Sequence, residues 1–135
     1  APDADLAALQ EAFLASEWAD RTPVAVEVPF AAVVAGVVIR GRMDAVFASP
    51  SSSSGFEVID WKTGAQPSSS AEASAVAVQL AAYRLAWANL AGVPVAEVGA
   101  GFCYIRSATT VRPADLLDEA GLVELITGLP PSEVI

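Results

Sequence analysis

No histidine occurs among the 135 residues, and the chain has a single cysteine, Cys103, and a single lysine, Lys62. Without histidine, serine–histidine and cysteine–histidine nucleophile pairs and histidine-ligated metals are excluded within the chain. One cysteine rules out an internal disulfide framework, an all-cysteine zinc site and a four-cysteine iron–sulfur cluster. Long apolar runs are missing too, although hydrophobic residues make up 54% of the chain and mean hydropathy is +0.50. The charge-free windows 28–39 and 85–96 fall short of the roughly 18 residues a membrane span needs, and Pro29 with Gly36, and Gly92 with Pro94, interrupt them. Basic groups are scarce, seven against sixteen acidic ones. The resulting net charge of -9 gives an average field that repels phosphate, so a nucleic-acid function needs a local exception or outside help. No basic-then-apolar leader follows Ala1-Pro2-Asp3, which makes the cytoplasm the expected compartment. The chemistry left is that of carboxylates, hydroxyls, one lysine and hard metals.

What is present reads as one α/β unit over 1–135. Residues 3–19 are expected to be a helix, with Leu6, Leu9, Phe13 and Leu14 as its apolar stripe and Asp3 and Asp5 at its dipole-favoured end. Val24, Val26 and Val28 share one parity of a strand, which points Glu27 to the other face. A second β segment is expected over Ala32–Ile39, continuing through Arg40-Gly41-Arg42 into Met43–Phe47. Ser49–Gly55 has the composition of a loop, and Phe56–Trp61 that of the next strand. The loop Gln66–Ser70 leads into an Ala-rich helix from Glu72 to Ala91, stopped by Gly92 and Pro94. A strand over Val95–Ile105, a short helix from Ala114 to Ala120 after Pro113, and a helical piece over Leu122–Ile126 complete the expectation: a mixed central sheet with flanking helices and a helical extension over 113–135.

Three fragments carry chemistry. Asp44 follows Gly41 by three; Asp60 and Lys62 are two apart and share a strand face; Gln79 and Tyr83 are four apart and share a helix face. Two carboxylates converging on one spot repel by about 4 kcal/mol at 4 Å and an effective dielectric near 20, so one of them holds its proton or the pair recruits a cation. Magnesium, which takes oxygen ligands and one or two carboxylates, suits this donor set, with Asp44, Asp60 and the Trp61 carbonyl as ligands and Glu27 as a further candidate. Lys62 adds a point charge for an attacking water or a phosphoryl transition state. Singly, each fragment has a plainer reading: a surface ion pair, a turn cap, the polar edge of a helix. The embedding of Asp60 and Lys62 in Phe56, Val58, Ile59 and Trp61, and of Gln79 in alanine and leucine, favours the chemical one.

In order, Gly41-Arg42-Met43-Asp44, Val58-Ile59-Asp60-Trp61-Lys62-Thr63-Gly64 and Gln79-Leu80-Ala81-Ala82-Tyr83, followed by Phe102-Cys103-Tyr104-Ile105, resemble the PD-(D/E)XK nuclease superfamily in its RecB-like branch. The flanking Trp18-Ala19-Asp20-Arg21 and Val111–Leu117 are similar to the nuclease domain of actinobacterial UvrD/RecB-type helicase-nucleases of the AdnAB kind. The resemblance implies a restriction-endonuclease-like αβββαβ core over about 24–105 and an exonuclease-type deoxyribonuclease using Mg2+ or Mn2+. It implies work in DNA end resection and double-strand-break repair, driven by a helicase motor in the same parent chain, with a second helicase-nuclease subunit as a further partner. Asp44 and Asp60 correspond to the metal-binding aspartates, Lys62 to the catalytic lysine, Glu27 to an active-site glutamate, and Gln79 and Tyr83 to the helix motif. Arg40, Arg42, Arg84 and Arg106 are the expected phosphate contacts, Arg42 and Arg84 foremost. Met43 replaces the superfamily's proline, as is usual in this branch. The branch also carries a site histidine on an upstream helix, and its absence here favours a truncated domain. The competing reading is a nuclease-fold scaffold that holds DNA or a partner subunit without cutting.

Overall fold

The computed structural model describes residues 2–49, 55–113 and 116–127. Helix α1 (Pro2–Leu14) is followed by strands β1 (Ala25–Val34), β2 (Val37–Ala48) and β3 (Phe56–Lys62), helix α2 (Ser70–Ala91), strands β4 (Val98–Tyr104) and β5 (Thr109–Val111), and helix α3 (Glu119–Thr127). The strands form one sheet in the order β1-β2-β3-β4-β5. β3 and β4 are parallel, joined by the α2 crossover, and the other neighbours are antiparallel. This is a mixed α/β sheet of restriction-endonuclease-like class, with the expected αβββαβ order and one added edge strand. No helix among the described residues is long and apolar enough to cross a membrane.

The sheet is covered on both sides. On one, Met43, Val46, Val58, Phe102 and Tyr104 pack under Leu80, Tyr83 and Ala86 of α2. On the other, Trp18, Ala45, Phe47, Ile59 and Cys103 form a second cluster with Phe13 of α1 and Trp61. There Trp18 is 1% exposed and donates from Nε1 to Thr110 Oγ1 at 2.8 Å. The Arg21 and Arg112 guanidiniums lie over the Trp18 ring, and both pair with Glu57, which is how a carboxylate can be buried there.

Several expected boundaries are corrected. α1 ends at Leu14, where Ser16 Oγ donates back to the Phe13 carbonyl and turns the chain into a loop ending at Trp18. Leu6 and Leu14, assigned to a buried stripe, are 55% and 72% exposed, whereas Leu9 and Phe13 are half-buried. Val24 and Val26 face solvent rather than core. Ala32–Ile39 is not one strand: Ala35 and Gly36 both have positive φ, 53° and 77°, and make the two-residue turn that joins β1 to β2. Val95–Glu97 and Ile105–Ser107 are 3-10 turns flanking β4, and β5 was not anticipated. Residues 116–118 are not helical; the two expected short helices give way to α3, started by Asp118, whose Oδ1 accepts from the Gly121 amide. The expected helix start at 114, most of the Ser-rich loop (50–54) and the segment 128–135 lie outside the described residues.

α2 forms as read, with sharp ends. Ser69 Oγ accepts from the Glu72 amide, Glu72 Oε2 accepts from the Ser68 amide, and Gly92 closes the helix at φ 70°. Ser69→Ala is expected to destabilise the protein by about 1 kcal/mol, read as a lowered urea midpoint.

Candidate active site

The site grows from a fault in the sheet. Pairing between β2 and β3 ends at Ala45↔Ile59, so the next positions across the two strands, Asp44 and Asp60, stand where the strands part. β3 continues paired to β4 through Lys62↔Tyr104. Between β1 and β2 the ladder skips one crossing, that of Glu27 and Asp44, lying between Val26↔Ala45 and Val28↔Met43. Glu27 there has φ 49°, outside the range of extended backbone. Alternation slips at the same point in both strands. Met43 and Val46, three apart, both join the α2-side cluster, and Ala25 and Val28 both pack against it.

Into the gap Asp44 extends its carboxylate, and Oδ2 accepts from the Trp61 amide at 2.8 Å, replacing a lost ladder bond. The Trp61 carbonyl shares the lateral direction of its amide, so it too addresses the β2 side. Asp60 is 6% exposed, and Lys62 Nζ lies 2.7 Å from its Oδ2, so the shared face expected of these two residues is realised. The lysine ammonium also sits 5.5 Å from the Phe102 ring centroid. Burial, then the neighbouring Asp44 carboxyl, push the Asp60 pKa up to about 6 against the lowering influence of Lys62. From α2, Gln79 Nε2 donates to the Tyr83 hydroxyl at 2.7 Å. Burial chiefly, with the charges of Asp60 and Asp44, raises the Tyr83 phenol above its ordinary value, which places that ring near both carboxylates.

Gly41 is where the sequence permits this arrangement. A Cβ there would meet Phe30 Cε1 at 2.9 Å and Tyr83 Cε1 at 3.3 Å, and those two rings stack edge to face at 5.4 Å. Gly41→Ala is expected to destabilise by about 1–3 kcal/mol and to shift the Tyr83 ring signals, measurable by urea unfolding and aromatic NMR. Sequence reasoning missed Phe30 and Phe102; the one usable signal was a glycine inside a strand, which marks a close approach.

Not every candidate is gathered. Glu27 is exposed, and among the described residues no group of three histidine, cysteine, aspartate or glutamate side chains forms that could hold a metal ion. Arg84, expected at phosphate, donates from Nε to the Val98 carbonyl at 2.6 Å. Val98 pairs with Phe56 at the far end of β3, four residues from Asp60, so the structure does not bring Arg84 to the carboxylates. Arg42 and Arg40 lie exposed on β2, on the side of Asp44 toward the hairpin turn. Arg106 holds the Thr63 carbonyl and both carboxylate oxygens of Asp5.

The pair of aspartates fits a hard divalent cation. Both offer oxygen, their convergence holds Asp60 protonated at unusually high pH, and buried Asp60 Oδ2 finds no aligned hydrogen-bond donor among the described residues. With this geometry in place, the family comparison is decisive: the sequence profile of the PD-(D/E)XK nuclease superfamily matches residues 3–129. The chain belongs to that superfamily. It is therefore a nuclease-like domain, and nucleases of this superfamily typically use divalent metal ions. No curated protein matches the chain.

Proposed function

We propose that this PD-(D/E)XK domain is a divalent-metal-dependent deoxyribonuclease that hydrolyses phosphodiester bonds at Asp44, Asp60 and Lys62. The observation that carries the reading is the opening between β2 and β3, where two aspartates and the only lysine of a superfamily member converge. Asp44, Asp60 and the Trp61 carbonyl would hold the ion; exposed Glu27 joins them only with a bound ion or substrate drawing it in. A magnesium- or manganese-class ion supplies activation of water and neutralisation of phosphate charge. Lys62 Nζ places a positive charge at the same point, where an attacking water or a phosphate oxygen is stabilised. The Gln79–Tyr83 bond fixes the phenol beside the carboxylates, and Arg42 and Arg40 offer phosphate contacts on the adjoining strand.

The acidic balance of the chain fits a module that receives DNA from a tethered motor, since tethering supplies the local concentration a basic groove otherwise provides. This supports placement in a helicase-nuclease acting in end resection, with exonuclease-type action and a second subunit as partner. The test is cleavage of labelled single-stranded DNA by the full parent protein with Mn2+, absent with EDTA. A parent that unwinds DNA yet leaves every phosphodiester intact under these conditions would instead be carrying a scaffold.

A further inference from the structure

Beyond Lys62 the site opens into a cavity of about 400 Å³ lined by Lys62, Gln66, Pro67, Glu72, Val76 and Tyr104. Its walls differ in kind. Lys62 brings the cation that serves the scissile phosphate, and Tyr104, its parallel neighbour across β3 and β4, brings an aromatic ring to the same lining. Pro67 and Val76 are apolar, whereas Glu72 and Gln66 are the polar groups on the α2 side. Glu72 is held in place by the helix start, with its amide bonded to Ser69 Oγ and its Oε2 accepting from the Ser68 amide.

We propose that this cavity is a base-reading subsite for the nucleoside next to the scissile phosphate, selecting amino-bearing bases through the Glu72 carboxylate. The inference rests on the nuclease reading, since it takes Lys62 as the phosphate contact. A phosphate at Lys62 leaves the adjoining nucleoside facing this cavity, whose volume is in the range of small-molecule sites. An aromatic ring with apolar neighbours suits a base face, and an aromatic side chain accepts any base by stacking. A carboxylate on the opposite wall does two further things. It repels a second phosphate, so the cavity takes the nucleoside rather than the backbone. It also only accepts hydrogen bonds, so it pairs with the exocyclic amino group of cytosine or adenine and meets the carbonyl oxygens of thymine unfavourably.

The experiment titrates the full protein with 3′- and 5′-monophosphates of deoxycytidine, deoxyadenosine and thymidine, followed by NMR of Tyr104 and the Gln66 side-chain amide. The cytosine and adenine nucleotides are expected to bind at least about threefold more tightly than the thymine one, with both signals moving, in one phosphate series. Glu72→Gln, whose amide also donates, is expected to bring the ratio to about one while binding persists; Ser69→Ala controls for loss of the helix start. Equal affinity for all three bases, or shifts that bypass Tyr104 and Gln66, overturns the subsite. Base-selective binding by a protein that cuts no DNA sinks the nuclease reading and keeps the subsite; cutting with base-indifferent binding does the reverse.

Discussion

Lys62→Met in the full parent protein is expected to lower metal-dependent DNA cleavage on the order of 10³-fold, about 4 kcal/mol of transition-state stabilisation, while ATP-driven unwinding continues. The size follows from where the charge sits. Lys62 Nζ is 2.7 Å from Asp60 Oδ2, at the spot where negative charge would build during hydrolysis, in a part of the protein shielded from water on one side by Phe102. Methionine keeps an unbranched apolar stem over Phe102 and removes only the ammonium, so loss of packing is minimised. Single-turnover cleavage with Mn2+, with circular dichroism as the folding control, reads the result. Cleavage within tenfold of the wild type would remove Lys62 from the chemistry.

Asp60→Asn is expected to abolish cleavage to a similar degree and, without metal, to make the protein more stable near neutral pH. The carboxyl has a pKa of about 6 in the fold against an ordinary value of 3.8 in an unfolded chain. Below 3.8 both states hold the proton and the group is neutral toward stability. Between these values the folded state binds more protons than the unfolded one, so stability falls as pH rises, and the loss is complete above about 6. With allowance for solvent screening, the penalty is about 2 kcal/mol. Asparagine is isosteric and carries no charge, so the variant should show no such decline; the difference between the two proteins in urea midpoint, measured from pH 4 to 8 in EDTA, isolates it. A difference that does not grow across this window refutes the burial argument. Cation binding competes with the same proton, so manganese affinity of the wild type should climb with pH to about 6 and then level off, as followed by calorimetry.

Much of this was legible in the sequence because the signals are local. The period of two over Phe56–Trp61 and the i, i+4 spacing of Gln79 and Tyr83 fix shared faces directly, and both pairs meet as expected. The helix ends at Ser69 and Gly92 were equally plain, since capping depends on neighbours a few residues apart. The misreadings have a common cause in long-range geometry. The alternation of β1 and β2 slips at Glu27 and Asp44 together, and no single strand's pattern reports a fault that two strands share. Val24 and Val26 therefore look like core and are not. Ala35 at φ 53° is a poor turn signal, so the hairpin passed for one strand. Arg84 resembled a phosphate contact by charge alone, and its engagement by Val98 depends on a packing that composition does not encode.

Arg106 gives the first helix a mechanical connection to the chemistry. Its Nε holds the carbonyl of Thr63, one residue past the lysine, and its two terminal nitrogens grip Asp5 near the start of α1. Both partners of that grip are open to solvent, so counterions reach it readily. The amino-terminal helix thus works as a clasp on the end of the lysine-bearing strand, and rising ionic strength slackens the clasp while the buried aspartate beside it keeps its surroundings.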